Sequence, residues 1–378
     1  MLASLLRRPW LLGVALVAVV ALLVGGAVAV FGGGGAPAPA AAAGQAAPTS
    51  AAPAISPAIN EVNTAGITYA PTLVVYNGRS HYGDEKVFRD FEAATGVKLK
   101  LRGGTGPELF ERLEREGADT PADVYVTTDL ANLWRAEQAG LLQGVTSPTL
   151  RAQIPESRRD VAGNWWALST RLRVPVYSTE RVPAGAVTGY ESLGDPRFRG
   201  HTCLRTSNNE YNQSLVADMI AKRGRDATAT LLRSWMANQP RIINSDGELL
   251  LVIDKGDCDV GLANHYYLGR ILKDDADFPV APAWPDQQGA GAHANVSGVG
   301  VVASSKNVPT AVALMEWLTS PPAQQEIIAG SEFAANPAVP PPAHIASWAD
   351  VKEDPIDGEH AGPLLADAVA LMLEVGWN

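Results

Sequence analysis

"CDVGLANHYYLGR", residues 258–270, sets a short apolar run against a histidine, two adjacent tyrosines and an arginine. Neighbouring side chains point to opposite faces of a strand, whereas at a turn or a helix start both can converge on one point. The run ending at Asn264 reads as a strand, with Tyr266 and Tyr267 in the turn beyond it, where the two phenols can share one ligand. His265 reads as a satisfied loop histidine rather than a ligand. In α/β sheets, ligands gather beyond the carboxyl ends of the strands.

The same grammar recurs on either side. "TLVVYNGRSHYGDE" is a β-rich run ending in a Gly-containing loop, and Asp84 to Thr95 then places Val87, Phe88, Phe91 and Ala94 at helical spacing, with Gly96 as the stop. "VKLKLR" alternates as a strand, Pro107 to Glu116 repeats the amphipathic pattern, and "ADVYVTTD" precedes the helical "LANLWRAEQAGLL". After Arg171 the pattern restarts with "RVPVYST", "TCLRTS", helices at Glu210–Arg223 and Thr228–Ala237, and "CDVGLAN". A third pass joins "NVSGVGVVAS" to a helix at Val308–Thr319, and a final helix runs from Pro363 to Glu374. Strands alternating with helices predict a mostly parallel sheet covered on both faces. The restart predicts two α/β lobes, with the chain crossing near 171–175 and 293–297.

Ahead of this lies a different kind of sequence. Arg7 and Arg8 precede a charge-free stretch from Trp10 to Phe31, which as a helix reaches roughly 33 Å, enough to span a bilayer. Residues 1–31 therefore read as a signal peptide or a signal anchor, which places the remainder outside the cytoplasm. Residues 32–68, rich in Gly, Ala and Pro, read as a flexible linker that stands the folded part off a membrane. The expected lobes are 69–172 with 296–345, and 173–295 with 346–378.

A formal charge of −10 over 378 residues, without a basic stripe, argues against a nucleic-acid partner. Cys203 and Cys258 are the two cysteines. In an exported chain they most simply form one disulfide between two strand-like stretches, the alternative being two buried thiols.

His81 and Tyr82, Tyr211, and Tyr266 with Tyr267 each follow a strand and precede a helical run, so all five fall at one edge of their sheets. If the two lobes face each other, that edge is a cleft. Phenolate is a hard oxygen donor, and a highly charged cation displaces its proton. Several phenolates with an imidazole suit ferric iron better than zinc or copper. Tyr76, Tyr177 and Tyr190 read as ordinary amphipathic packing residues.

The stretches "PADVYVTTDLANLWRAEQAGLL", "WALSTRLRVPVYS", "SNNEYNQSLVADMI", "CDVGLANHYYLGR" and "NVSGVGV" together resemble the ferric-iron binding proteins of bacterial ABC importers, in their tyrosine-rich class. The resemblance covers about residues 72–345 and implies a type II periplasmic-binding fold with two lobes, a hinge and a central cleft. It implies Fe(3+) ligation by Tyr211, Tyr266 and Tyr267 from one lobe and by His81 and Tyr82 from the other. Counted without gaps from Tyr76, that His-Tyr pair arrives one residue later than in the family. Arg171 matches the family arginine that holds a synergistic anion such as carbonate. Ser207 and Asn208 are expected to cap the helix of Tyr211, and Asn295 and Ser297 to line the cleft at the second crossing. The implied partners of this monomer are iron and the permease and ATPase subunits of an importer, at a membrane reached by the N-terminal anchor.

A receptor for a small anion or organic solute is the second reading, with the tyrosines stacking or hydrogen bonding. An enzyme, such as a hydrolase on an α/β scaffold, is the third. Against it, no Gly-x-Ser-x-Gly elbow occurs and the six histidines show no metalloprotease pairing.

Overall fold

The computed structural model describes residues 59–80 and 86–378. The expected signal or anchor segment at 1–31 lies outside the described residues, as do His81 and Tyr82. Among the described residues no helix is long and apolar enough to cross a membrane.

Two long strands, Trp166–Ser178 and Ala292–Val302, organise the rest. Nearly every residue of both is buried, which is the mark of strands covered on both faces. Arg171, Arg173, His293, Asn295 and Ser297 are nevertheless among them, so partners have to be found inside the protein. The two strands pair antiparallel from Ala294↔Leu172 to Val299↔Trp166, and beyond Leu172 the first strand changes partner, with Arg173 opposite Asn264. Outside this pair lie two parallel trios. Lys98–Gly103, Thr72–Asn77 and Val124–Thr127 run beside Ala292–Val302, while Val260–Asn264, Thr202–Arg205 and Arg241–Ile243 run beside Trp166–Ser178. The mostly parallel expectation holds within each trio; the connecting strands are antiparallel because they carry the chain between the two halves.

Local signals fix the helices. Thr105 caps Gly106–Glu116 in a reciprocal box, its hydroxyl accepting from Glu108 N–H at 3.3 Å and its own N–H donating to Glu108 Oε2 at 2.9 Å, with Pro107 in the first turn. Glu210–Arg223 buries a continuous run from Leu215 to Ile220, since Arg225–Ala237 and Leu365–Glu374 pack against it as well as the sheet. Asp246–Asp254 was not legible as a helix: "LLLVI" is apolar at every position, and only the Ser245 cap, accepting from Glu248 N–H, marks its start.

Cys203 and Cys258 are bridged, with Cα atoms 5.9 Å apart across a sequence separation of 55. Cys203 lies in Thr202–Arg205, but Cys258 precedes the strand Val260–Asn264 instead of forming part of it. The linker expected over 32–68 also ends sooner than its composition suggested. Asn60–Glu61 pairs in parallel with Val145–Thr146, Val62 is buried, and Thr64 Oγ1 donates to Glu316 at 2.6 Å.

Glu137, on the helix Leu130–Gln138, accepts from Asn164 Nδ2 at 3.1 Å. Burial first, then the charges of Asp160 and Glu359, push its pKa up to about 7. Between its ordinary value and pH 7 the folded protein therefore keeps a proton that the unfolded chain has released, and stability is lost as pH rises through that window. After discounting for partial exposure, Glu137→Gln is expected to gain about 1–2 kcal/mol at pH 8 and nothing at pH 4. Urea unfolding at the two pH values checks this; equal shifts at both would contradict it.

Candidate metal centre

The three tyrosines predicted from the second half all stand in the first turns of helices. Val260–Asn264 passes directly into His265–Asp274, so Tyr266 and Tyr267 begin a helix, where the sequence reading expected a turn. Their rings stack at 4.4 Å between centroids and 29° between planes. Arg270, one turn later, lies 4.8 Å from the Tyr266 ring and 5.7 Å from that of Tyr267. Tyr211 follows Glu210 at the start of Glu210–Arg223, and the Arg171 guanidinium sits 4.8 Å from its ring. Tyr211 and Tyr266 are 6% and 1% exposed.

One arginine holds these helix starts together. Arg173 donates from Nε to Asn212 Oδ1 at 2.7 Å, next to Tyr211, and from Nη1 to Asn264 Oδ1 at 3.1 Å, next to His265. Asn264 is the N-cap residue of the twin-tyrosine helix, yet its side chain makes no capping bond because it serves Arg173 instead. Asp246 completes the group, accepting from Arg173 Nη1 at 3.0 Å and from Asn264 N–H at 3.1 Å. All four partners are buried.

A cavity of about 430 Å³ opens between Gly78, Ser80 and Thr128 on one side and Arg205, Tyr211 and Tyr267 on the other. Ser80 is the last described residue before His81 and Tyr82. The floor on that side is tight: a Cβ at Gly106 would lie 2.5 Å from Asn132 Nδ2 and 2.7 Å from Thr127 Oγ1.

Behind the phenols lies a buried charge network. Arg171 donates to Ser297 Oγ at 3.2 Å and lies 3.6 Å from Asp129. Arg79 donates to the same Ser297 at 2.6 Å, to Ser169 at 3.0 Å and to Glu332 at 2.8 Å. Asp129 also accepts from Ser214 and from Asn295 Nδ2, and burial raises its pKa against the pull of Arg171. Glu210, held by Thr128 Oγ1 at 3.0 Å and Asn132 Nδ2 at 3.3 Å, is pushed up to about 7 by burial and by Asp129. Asn295 and Ser297 thus serve the arginines and Asp129, and neither is among the residues lining the cavity.

Ser207 and Asn208 do not cap the helix of Tyr211; the N-cap is Asn209, without a side-chain bond. Asn208 accepts from Thr206 Oγ1, and the Ser207 carbonyl accepts from Gln213. The capping expectation failed because helix Glu210–Arg223 is anchored from inside, through Asn212 on Arg173 and on the carbonyls of Arg205 and Thr206. His265 is fully buried and stacks on Phe333 at 4.4 Å. Its Nδ1 accepts from Leu172 N–H at 2.9 Å, and burial pushes its pKa down to about 4, so the ring is neutral and structural.

Among the described residues no group of three or more His, Cys, Asp and Glu could hold a metal ion; the donors on offer here are phenols. Sequence reasoning missed Arg173 and Arg205. A signal for the first existed, since Arg171 and Arg173 alternate with Leu172 and Val174 in a strand-like stretch and such charges need buried partners.

Residues 86–353 match the family described as bacterial extracellular solute-binding protein. The chain is similar to iron uptake protein A1 of Synechocystis sp., with 38% identity over 312 residues, 80% of this chain and 87% of that protein. It is 25% identical to the major ferric iron-binding protein of Neisseria meningitidis over 73% of this chain and 84% of that one. Among solved structures, a Trichodesmium protein in complex with iron and citrate superposes with a TM-score of 0.75 and 34% identity, over 81% of this chain and all of the other. Apo FutA2 from Synechocystis gives 0.74 and 37%, over 82% of this chain and all of the other.

Proposed function

The chain belongs to the bacterial extracellular solute-binding proteins, two-lobed carriers of the type II periplasmic-binding fold, and from that premise we propose that it captures ferric iron between its lobes and delivers it to an ABC importer. The observation that carries this reading is the placement of three phenols, Tyr211, Tyr266 and Tyr267, in the first turns of two helices bound together by Arg173. The relatives named for iron uptake and ferric iron binding support it.

Iron is the cargo, and the protein's part is charge and geometry. Three phenolates would balance a trivalent cation, and the Arg171 and Arg270 guanidiniums lie against the Tyr211 and Tyr266 rings. His81 and Tyr82 are proposed to complete the ligand set from the opposite lobe. Hinge motion about the two long strands would close 69–172 and 296–345 over 173–295 and 346–378. An importer permease and ATPase would receive the iron outside the cytoplasm from this monomeric carrier, which residues 1–31 direct there as a signal or retain as an anchor.

Titration of the purified protein with ferric iron is expected to give a saturable visible band from phenolate-to-metal charge transfer. Each phenol releases a proton on binding, so affinity should fall on acidification by about tenfold per pH unit for each proton displaced. A colourless titration, or colour that does not saturate, would overturn the iron reading and favour a small organic solute.

A further inference from the structure

A second cavity, of about 360 Å³, opens beside the helix Leu130–Gln138 and shares no lining residue with the cavity of the phenols. Two indoles, Trp134 and Trp165, line it together with the carboxylates of Glu137, Asp160, Asp357 and Glu359. Trp134 packs against the bare Cα of Gly362, where a Cβ would lie 2.2 Å from the indole Cδ2. That contact fixes the ring in the wall.

The carboxylates are short of positive charge. Arg159, the only basic residue among the described residues of the wall, is turned to Glu156 at 3.4 Å and to the Ile154 carbonyl at 3.2 Å. Asp357 is occupied in capping Gly358–Ala361, accepting from the N–H groups of Glu359 and His360. Glu137 and Asp160 share one neutral donor, Asn164 Nδ2, at 3.1 and 2.9 Å. Glu359 takes only a 3.5 Å contact from Gln138 Nε2. After burial, the charges of Asp160 and Glu359 are what raise the Glu137 pKa, so these acids repel one another across the cavity. Trp134 Nε1 is also enclosed, without a hydrogen-bond partner among the described residues. A ligand that brought an acceptor would remove that cost.

We propose that this cavity binds a small organic cation, an ammonium or guanidinium compound that also carries an oxygen acceptor. A metal ion does not suit it, because among the described residues no group of three or more His, Cys, Asp and Glu could hold one. Separated carboxylates and indole faces instead match a cation that is weakly hydrated and spreads its charge over several atoms. The acids supply the attraction, the rings supply the contact surface, and Trp134 Nε1–H donates to the oxygen. The site is independent of the iron reading.

Isothermal titration of the full chain at pH 8 with choline, and separately with L-arginine, tests this, with tryptophan fluorescence recorded alongside. At least one of the two should bind saturably at one per chain, and magnesium chloride at matched ionic strength should not compete. Glu137→Gln, which is expected to gain stability at pH 8, should weaken that binding roughly tenfold, the effect of one lost charge near a partly exposed cation. Trp134→Leu should weaken it tenfold or more, and Trp165→Phe, which keeps an aromatic face, by about threefold. Glu114→Gln, at an exposed acid of the helix Gly106–Glu116, should leave it unchanged. Absence of saturable binding for both cations, competition by magnesium, or an affinity undiminished in Glu137→Gln overturns the proposal.

Discussion

Tyr266→Phe is expected to weaken ferric iron binding by roughly two to four orders of magnitude and to bleach the visible band, with the fold intact. The variant keeps the ring stacked on Tyr267 at 4.4 Å and under Arg270, so only the phenol oxygen is lost. Removing one partner from a desolvated charge pair costs about 3–5 kcal/mol, which corresponds to that range of affinity. Tyr211→Phe should behave alike, because its ring also keeps its arginine, Arg171. Tyr190→Phe is the control. Its hydroxyl donates to the Arg173 carbonyl at 2.7 Å and accepts from His293 N–H at 3.2 Å, so it should cost stability and leave the band in place. If all three variants bound iron equally, the phenol site would be refuted.

Arg173→Met should be the most destabilising single change around the site. It leaves the Asp246 carboxylate buried without its bidentate partner and Asn212 and Asn264 without their shared donor. A broken buried pair of this kind costs about 3–5 kcal/mol, or roughly 10 °C in a chain of this size. Urea unfolding of the metal-free protein measures it. The double variant Arg173→Met, Asp246→Leu should recover a large part of the loss, since replacing both members removes the unpaired charge. Iron affinity should fall in both variants, because the two phenol-bearing helix starts are no longer tied to one guanidinium. A loss below 1 kcal/mol in the single variant would show that the helices are positioned by packing alone.

The places of Tyr211, Tyr266 and Tyr267 between strand and helix were legible because their stretches carry their own local signals. The tyrosines fall where an apolar run gives way to a helical period, and Glu210–Arg223 and Val308–Thr319 begin and end where the pattern predicted. Stretches with weak local contrast were misread or left unassigned. Asp246–Asp254 carries an unbroken apolar run from Leu249 to Ile253 without a helical period, and residues 60–64 look like tether although they are held by Val145–Thr146 and Glu316. The capping role expected of Ser207 and Asn208 failed because the helix they precede is held through Asn212 rather than by its own cap.

The order of strands and helices and the place of the phenols after strands follow from the sequence by itself, because hydrophobic period acts over a few neighbours. Which groups support the phenols was decided only by the tertiary structure. Arg173 meets Asn212, Asp246 and Asn264 across separations of 39, 73 and 91 residues. Buried charges take their partners from whatever the sheet brings alongside, and one sequence read end to end holds no record of those distances.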